Sequence, residues 1–117
     1  MPSATDVLDW NQLRGLTELQ VDGDPDIVGQ VIEMFREDGP ARLARARHAL
    51  EHGDGTALRL EAHSLRGTAG LIGATALRSA ATAVERAAEA GDLAGAGSWL
   101  ATMDRAMDEV LAALTAV

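Results

Sequence analysis

His63 is the residue on which most of the chain's chemistry can be argued. Steps of three, four and seven along a helix bring Thr56, Arg59, Arg66, Gly67 and Gly70 onto its face. None of these is a large hydrophobe, so the imidazole belongs to a polar face. Arg59 and Arg66 bracket it, one turn to either side. Neutral imidazole is a nucleophile, and histidine titrates in the range around neutral pH. Guanidinium groups favour phosphate oxygens by charge and by hydrogen bonding. A glycine inside a helix costs roughly 1 kcal/mol relative to alanine. Gly67 and Gly70 beside His63 therefore mark bare backbone, where another surface approaches closely. Taken singly, a surface histidine, two arginines and two helix glycines are ordinary. Together they suit an acceptor of a phosphoryl group.

Other clusters point less clearly to chemistry. His48 and His52 are spaced i, i+4, with Glu51 between them. That spacing can hold zinc. The glutamate is not where a metalloprotease helix places it and no third ligand is evident, so a solvated helix end is the reading adopted and no metal is expected. Asp22, Asp24 and Asp26 resemble the start of a calcium loop, but Pro25 interrupts it and the glycine and distal glutamate are misplaced. Capping explains them better. The serines have no histidine and aspartate arranged for nucleophilic catalysis.

The elements that must position His63 are helices. The chain has 117 residues, which suits a single domain spanning 1–117. Aromatics are 3%, β-branched residues are sparse, and alanine, leucine, arginine and glutamate dominate. Asp9 to Leu19 can form a short first helix. Asp24-Pro25 reads as an N-cap followed by proline at the first helical position. From there Val28, Ile32, Phe35, Gly39, Leu43, Ala46 and Leu50 form one apolar stripe. Pro40 lies inside it, which predicts a kinked single helix. Gly53-Asp54 and Gly91-Asp92 each end one helix and cap the next.

Between those two pairs, Leu58, Ala62, Leu65, Ala69 and Ile72 share one helical face. After Gly73, Leu77, Ala81, Val84 and Ala88 share another. The last helix presents Leu93, Ala96, Leu100, Met103, Met107, Val110 and Leu114. The fold class is therefore all-α: an antiparallel up-down four-helix bundle, core about 24–115, with a short extra N-terminal helix.

What the composition excludes is as definite. There is no cysteine, hence no disulfide framework, thiolate zinc site or cysteine nucleophile. A net charge of −8 argues against a nucleic-acid partner. No run of about 18 apolar residues exists to span a membrane. Residues 1–9 are polar and acidic, unlike a signal peptide, so a cytoplasmic location is expected.

The run from His63 to Ala74, His-Ser-Leu-Arg-Gly-Thr-Ala-Gly-Leu-Ile-Gly-Ala, followed by Leu77, resembles the signature of histidine phosphotransfer (HPt) domains. Phe35 with Pro40, Gly53-Asp54, and Glu85 with Gly91-Asp92 agree with it. The resemblance extends from about Asp9 onward. Arg66 stands where the family usually has lysine, keeping the charge on a flat guanidinium.

The resemblance implies a relay intermediate of two-component signalling. His63 would take a phosphoryl group on Nε2 from a receiver-domain aspartate and pass it to another receiver. Arg66 would contact the phosphoryl group or the receiver's acidic site. Mg²⁺ would sit on the receiver, so no cofactor is expected on this chain. Partners would be response-regulator receiver domains and a hybrid sensor kinase, met by a monomer. With no ATP-binding region, the chain is expected not to be an enzyme. Arg59, Gly67 and Gly70 would border the docking surface. Gly39, Pro40 and Leu43, level with His63 on the preceding helix, would border it on another side. Met1 and the complete set of helices favour a free-standing module. The alternatives are an inert helical interaction module and the phosphoacceptor domain of a chemotaxis-type histidine kinase.

Overall fold

The apolar stripes converge on one core. Phe35, Leu43 and Ala46, then Leu58, Leu65 and Ile72, then Leu77, Ala81 and Val84, and finally Met103, Met107, Val110 and Leu114 are all buried. Each set belongs to one helix of a computed structural model that describes residues 7–9, 11, 12, 15 and 26–115. The helices are α1 (Ile27–Glu51), α2 (Gly55–Ile72), α3 (Thr75–Glu89) and α4 (Leu93–Thr115). The outer stripe members Val28, Leu50, Ala88 and Leu93 are half-buried and pack against that core. No strand occurs among the described residues.

The turns are made by one repeated device. Gly53, Gly73 and Gly91 have φ of 66°, 75° and 73°, the left-handed conformation that only glycine adopts without strain. In each case the next residue's N–H reaches back to a carbonyl in the preceding helix: Asp54 to Ala49 at 2.8 Å, Ala74 to Ala69 at 2.8 Å, Asp92 to Ala87 at 2.9 Å. Asp54 and Asp92 then cap the following helix, accepting from the N–H of Ala57 at 3.0 Å and of Gly95 at 2.8 Å.

Ion pairs and contacts fix the antiparallel register. α2 meets α3 where Gly55 faces Ala88, His63 meets Glu85, and Gly70 lies under Arg78. α1 meets α2 through Glu61, which accepts from Arg42 at 3.4 Å and Arg45 at 3.1 Å. The hydrogen bond from Arg42 to Asp38 raises the guanidinium pKa further, so it stays cationic in this clamp. α4 runs back along α1: Arg36 donates to the Leu114 carbonyl, Gly39 faces Met107, Arg47 pairs with Asp104, and Leu50 lies near Gly97.

Two expectations are corrected here. Gly39 and Leu43 do not border a docking surface. They are buried, Leu43 in the core and Gly39 against Phe35 and Met107. The helical stripe to which they belong faces inward, and that decides against a surface role. Pro40 is half-buried, and α1 runs through it as one helix. Of the expected Asp9–Leu19 helix, Asp9, Asn11, Gln12 and Gly15 are described: Asp9 lies outside any helix and the other three are helical. Asp22, Asp24 and Pro25 lie outside the described residues, and α1 has Asp26 at its N-cap. Val7 and Leu8 are buried, and the Asp9 N–H donates to the Gly73 carbonyl at 2.7 Å.

The α1–α4 seam is tight at Gly39. A Cβ there would lie 3.2 Å from Phe35 Cζ and 3.3 Å from Met107 Cε. Gly39→Leu should therefore destabilise the bundle by about 1–3 kcal/mol through overpacking. Urea unfolding measures it; an unchanged midpoint would show that the seam has room to spare.

Candidate functional site

His63 lies on the flank of α2 that borders α3. Glu61 lies on the other flank, toward α1, with the buried Ala62 between them. The expected neighbour of His63 was α1, but its bonded neighbour is Glu85 of α3. The two side chains differ sharply in burial: His63 is 58% exposed, Glu85 only 7%. A buried carboxylate needs partners for its charge. Glu85 has two, one per oxygen. Its Oε2 is 2.9 Å from His63 Nδ1, and its Oε1 is 3.2 Å from Arg66 Nη1.

These contacts select the histidine tautomer. Arg66 Nη2 is also 3.2 Å from His63 Nδ1. A guanidinium only donates and a carboxylate only accepts, so Nδ1 cannot hydrogen-bond both. A lone pair on Nδ1 would face the carboxylate at 2.9 Å, acceptor against acceptor. A proton there donates to Glu85 instead, at the shorter contact and to the anion. Nδ1–H is therefore the favoured form, and the lone pair is left on Nε2, on the exposed ring. Any positive charge that develops on the imidazole is met by the same carboxylate.

The other candidates divide. Arg66 is part of the Glu85 cluster. Arg59 is half-buried one turn before His63 and makes no ion pair among the described residues. Gly67 is exposed, with open space where a Cβ would be. Gly70 is not bare: a Cβ there would touch Arg78 Cδ and Nε at 3.5 Å, so the glycine makes room for a side chain of α3. Arg66, Arg78 and Arg86 line a shallow groove with Thr75, Ser79 and Thr82 beside the histidine. The residue that sequence reasoning left out of the site is Glu85. Its signal was a glutamate next to Val84, at the margin of the apolar face of an alanine-rich helix.

The Hpt domain family matches residues 30–113, which contain this cluster entire. The chain belongs to that family. Among solved structures, this Hpt chain is similar to histidine-containing phosphotransfer protein B (HptB) from Pseudomonas aeruginosa PAO1. The identity is 29%, the coverage 93% of this chain and 91% of that one, and the TM-score 0.84. It shares its fold with the histidine-containing phosphotransfer protein ZmHP2 from maize, at 20% identity, 97% and 83% coverage and a TM-score of 0.84. No curated protein matches it. The class of function of an Hpt chain is phosphotransfer in two-component signalling. Among the described residues no helix is long and apolar enough to cross a membrane.

The tautomer can be read directly. Long-range ¹H–¹⁵N spectra of the Hpt chain should show His63 as the Nδ1–H form at a pH where the ring is neutral. In Glu85→Gln the neutral amide can both donate and accept, so the Nε2–H form should become populated. A wild-type spectrum dominated by Nε2–H would mean that Glu85 does not orient the ring.

Proposed function

We propose that the chain is a phosphorelay intermediate. His63 accepts a phosphoryl group from the aspartate of one receiver domain and passes it to the aspartate of another. The observation that carries this reading is the Glu85–His63 contact, which favours Nδ1–H and leaves the Nε2 lone pair on an exposed ring beside open space at Gly67. The HptB structure, a histidine-containing phosphotransfer protein alike over nearly its whole length, supports it.

The chemistry follows from those positions. Nε2 attacks phosphorus and the N–P bond forms as the acyl phosphate P–O bond breaks. The leaving group is the donor's aspartate carboxylate. The ring keeps its Nδ1 proton and gains positive charge, which Glu85 stabilises. No proton has to leave the histidine, so no general base is needed. In the reverse sense an acceptor aspartate attacks phosphorus and the neutral imidazole departs. Arg66 holds the carboxylate in place with Nη1, and its charge favours the phosphoryl oxygens. Mg²⁺ belongs to the receiver, and this chain, a carrier without a kinase region, supplies positioning and charge. It works as a cytoplasmic monomer, with a hybrid sensor kinase upstream.

Incubation with a phosphorylated receiver should place acid-labile, base-stable phosphate on the chain. His63→Gln should abolish it and leave the melting temperature nearly unchanged, because the ring is exposed and the glutamine amide can still donate to Glu85. Acid-stable label, or undiminished label on the variant, would sink the proposal. Glu85→Gln removes a charged hydrogen bond worth about 1.5–3 kcal/mol. That corresponds to a roughly ten- to hundredfold slower transfer.

Docking needs the open space at Gly67. Gly67→Leu should fold as well as wild type or better, since leucine is the better helix former. It should still take phosphoryl from a small donor such as phosphoramidate, and fail with receivers. Transfer from receivers at the wild-type rate would place docking on another surface.

A further inference from the structure

A second cluster lies at the far end of α1, apart from the phosphoacceptor. His48, Glu51 and His52 are all exposed, and one ligand atom from each lies within 4.8 Å of the others. The two imidazole rings are 4.1 Å apart between centroids. His52 Nδ1 is 2.8 Å from the His48 carbonyl oxygen. A carbonyl only accepts, so Nδ1 carries the proton and Nε2 of His52 carries the lone pair. That is how metal-ligating histidines are commonly held: one nitrogen donates to a carbonyl while the other is turned outward.

The surroundings add to this. The carbonyl end of a helix carries partial negative charge and favours a cation. The nearby arginines are engaged elsewhere, Arg45 with Glu61 and Arg47 with Asp104. Glu51 makes no ion pair among the described residues. The sequence left the histidine pair without a third ligand; the helix puts Glu51 in that place.

We propose that His48, Glu51 and His52 bind a divalent transition-metal ion, Zn²⁺ foremost, with water completing its shell. Two imidazoles and one carboxylate suit Zn²⁺, Cu²⁺ or Ni²⁺, not the oxygen-seeking Ca²⁺ or Mg²⁺. Zinc bonds of about 2.0–2.1 Å require donor atoms about 3.3 Å apart in a tetrahedral shell. The exposed side chains of His48 and Glu51 can rotate to close that gap while His52 stays on its carbonyl. The bound ion would staple the last turn of α1 to the residue that follows it, at the turn from which α2 starts. His63 is eight residues into α2, about 12 Å along the helix, so the ion would not touch it.

The test is calorimetric titration of the full chain with ZnCl₂ at neutral pH, without phosphorylation. One ion per chain is expected, with a rise in melting temperature at saturation. His48→Ala and His52→Ala should each weaken binding at least about tenfold. Glu51→Gln should weaken it less, and His63→Gln should not change it. His48→Ala keeps the Nδ1–carbonyl bond of His52, so its loss of affinity cannot come from fraying of the helix end. Circular dichroism checks that each variant is folded. Equal affinity in wild type and a His48→Ala/His52→Ala double variant would overturn the site. So would binding that is lost only in His63→Gln.

Discussion

A single carboxylate, nearly out of reach of water, organises this protein's chemistry. Glu85 comes from α3, yet both of its oxygens are taken by side chains of α2. A buried charge left alone would be costly, and here it is divided between an imidazole and a guanidinium. The same arrangement has three results. It ties α2 to α3 at one level. It sets which ring nitrogen holds the proton. It keeps Arg66 beside His63, where a mobile arginine would otherwise sample solvent. Structural and chemical roles are thus carried by one group, and removing its charge would disturb both.

The rest of the bundle can be understood as the frame that brings Glu85 to His63. α2 and α3 are joined by one left-handed glycine, Gly73, whose carbonyl also receives the Asp9 N–H. A Cβ on Gly73 would lie 2.6 Å from the Asp9 oxygen, so the turn and the N-terminal segment fit together only because the side chain is absent. On the opposite flank of α2, Glu61 takes Arg42 and Arg45 of α1. The helix that carries His63 is thereby held on both sides by charge and beneath by apolar packing. Its outer face is left free.

Much of this was legible in the sequence. The stripes named the core, because a 3.6-residue period is a direct print of burial. The Gly-Asp pairs named the turns, because a left-handed residue and a cap each demand particular side chains. His63 was placed on a polar face by the same geometry. The partner of His63 was not legible. Helical spacing gives the face of a residue but not which neighbouring helix lies along that flank, and α1 and α3 were both available. Gly39 and Leu43 show the same gap: sequence spacing put them in the apolar stripe and level with the histidine, and only packing decides between the two. Gly70 fits neither expectation fully, since the surface it leaves low is filled by Arg78.

The register of the helices also bears on how the chain reaches this fold. Three of the four helix seams join consecutive segments through turns of a few residues, so each can form with little loop entropy to overcome. The fourth, α1 against α4, joins residues as far apart as Arg36 and Leu114, 78 positions along the chain. Formed alone, it would close the longest loop of the four, at the largest entropic cost. Such a topology is dominated by local contacts and belongs with the fast-folding helical domains. The Glu85–His63 pair spans only 22 positions and lies within one of the short-loop seams. The Glu85–His63 contact therefore needs only the α2–α3 hairpin, and not the closed bundle, to bring its two side chains together.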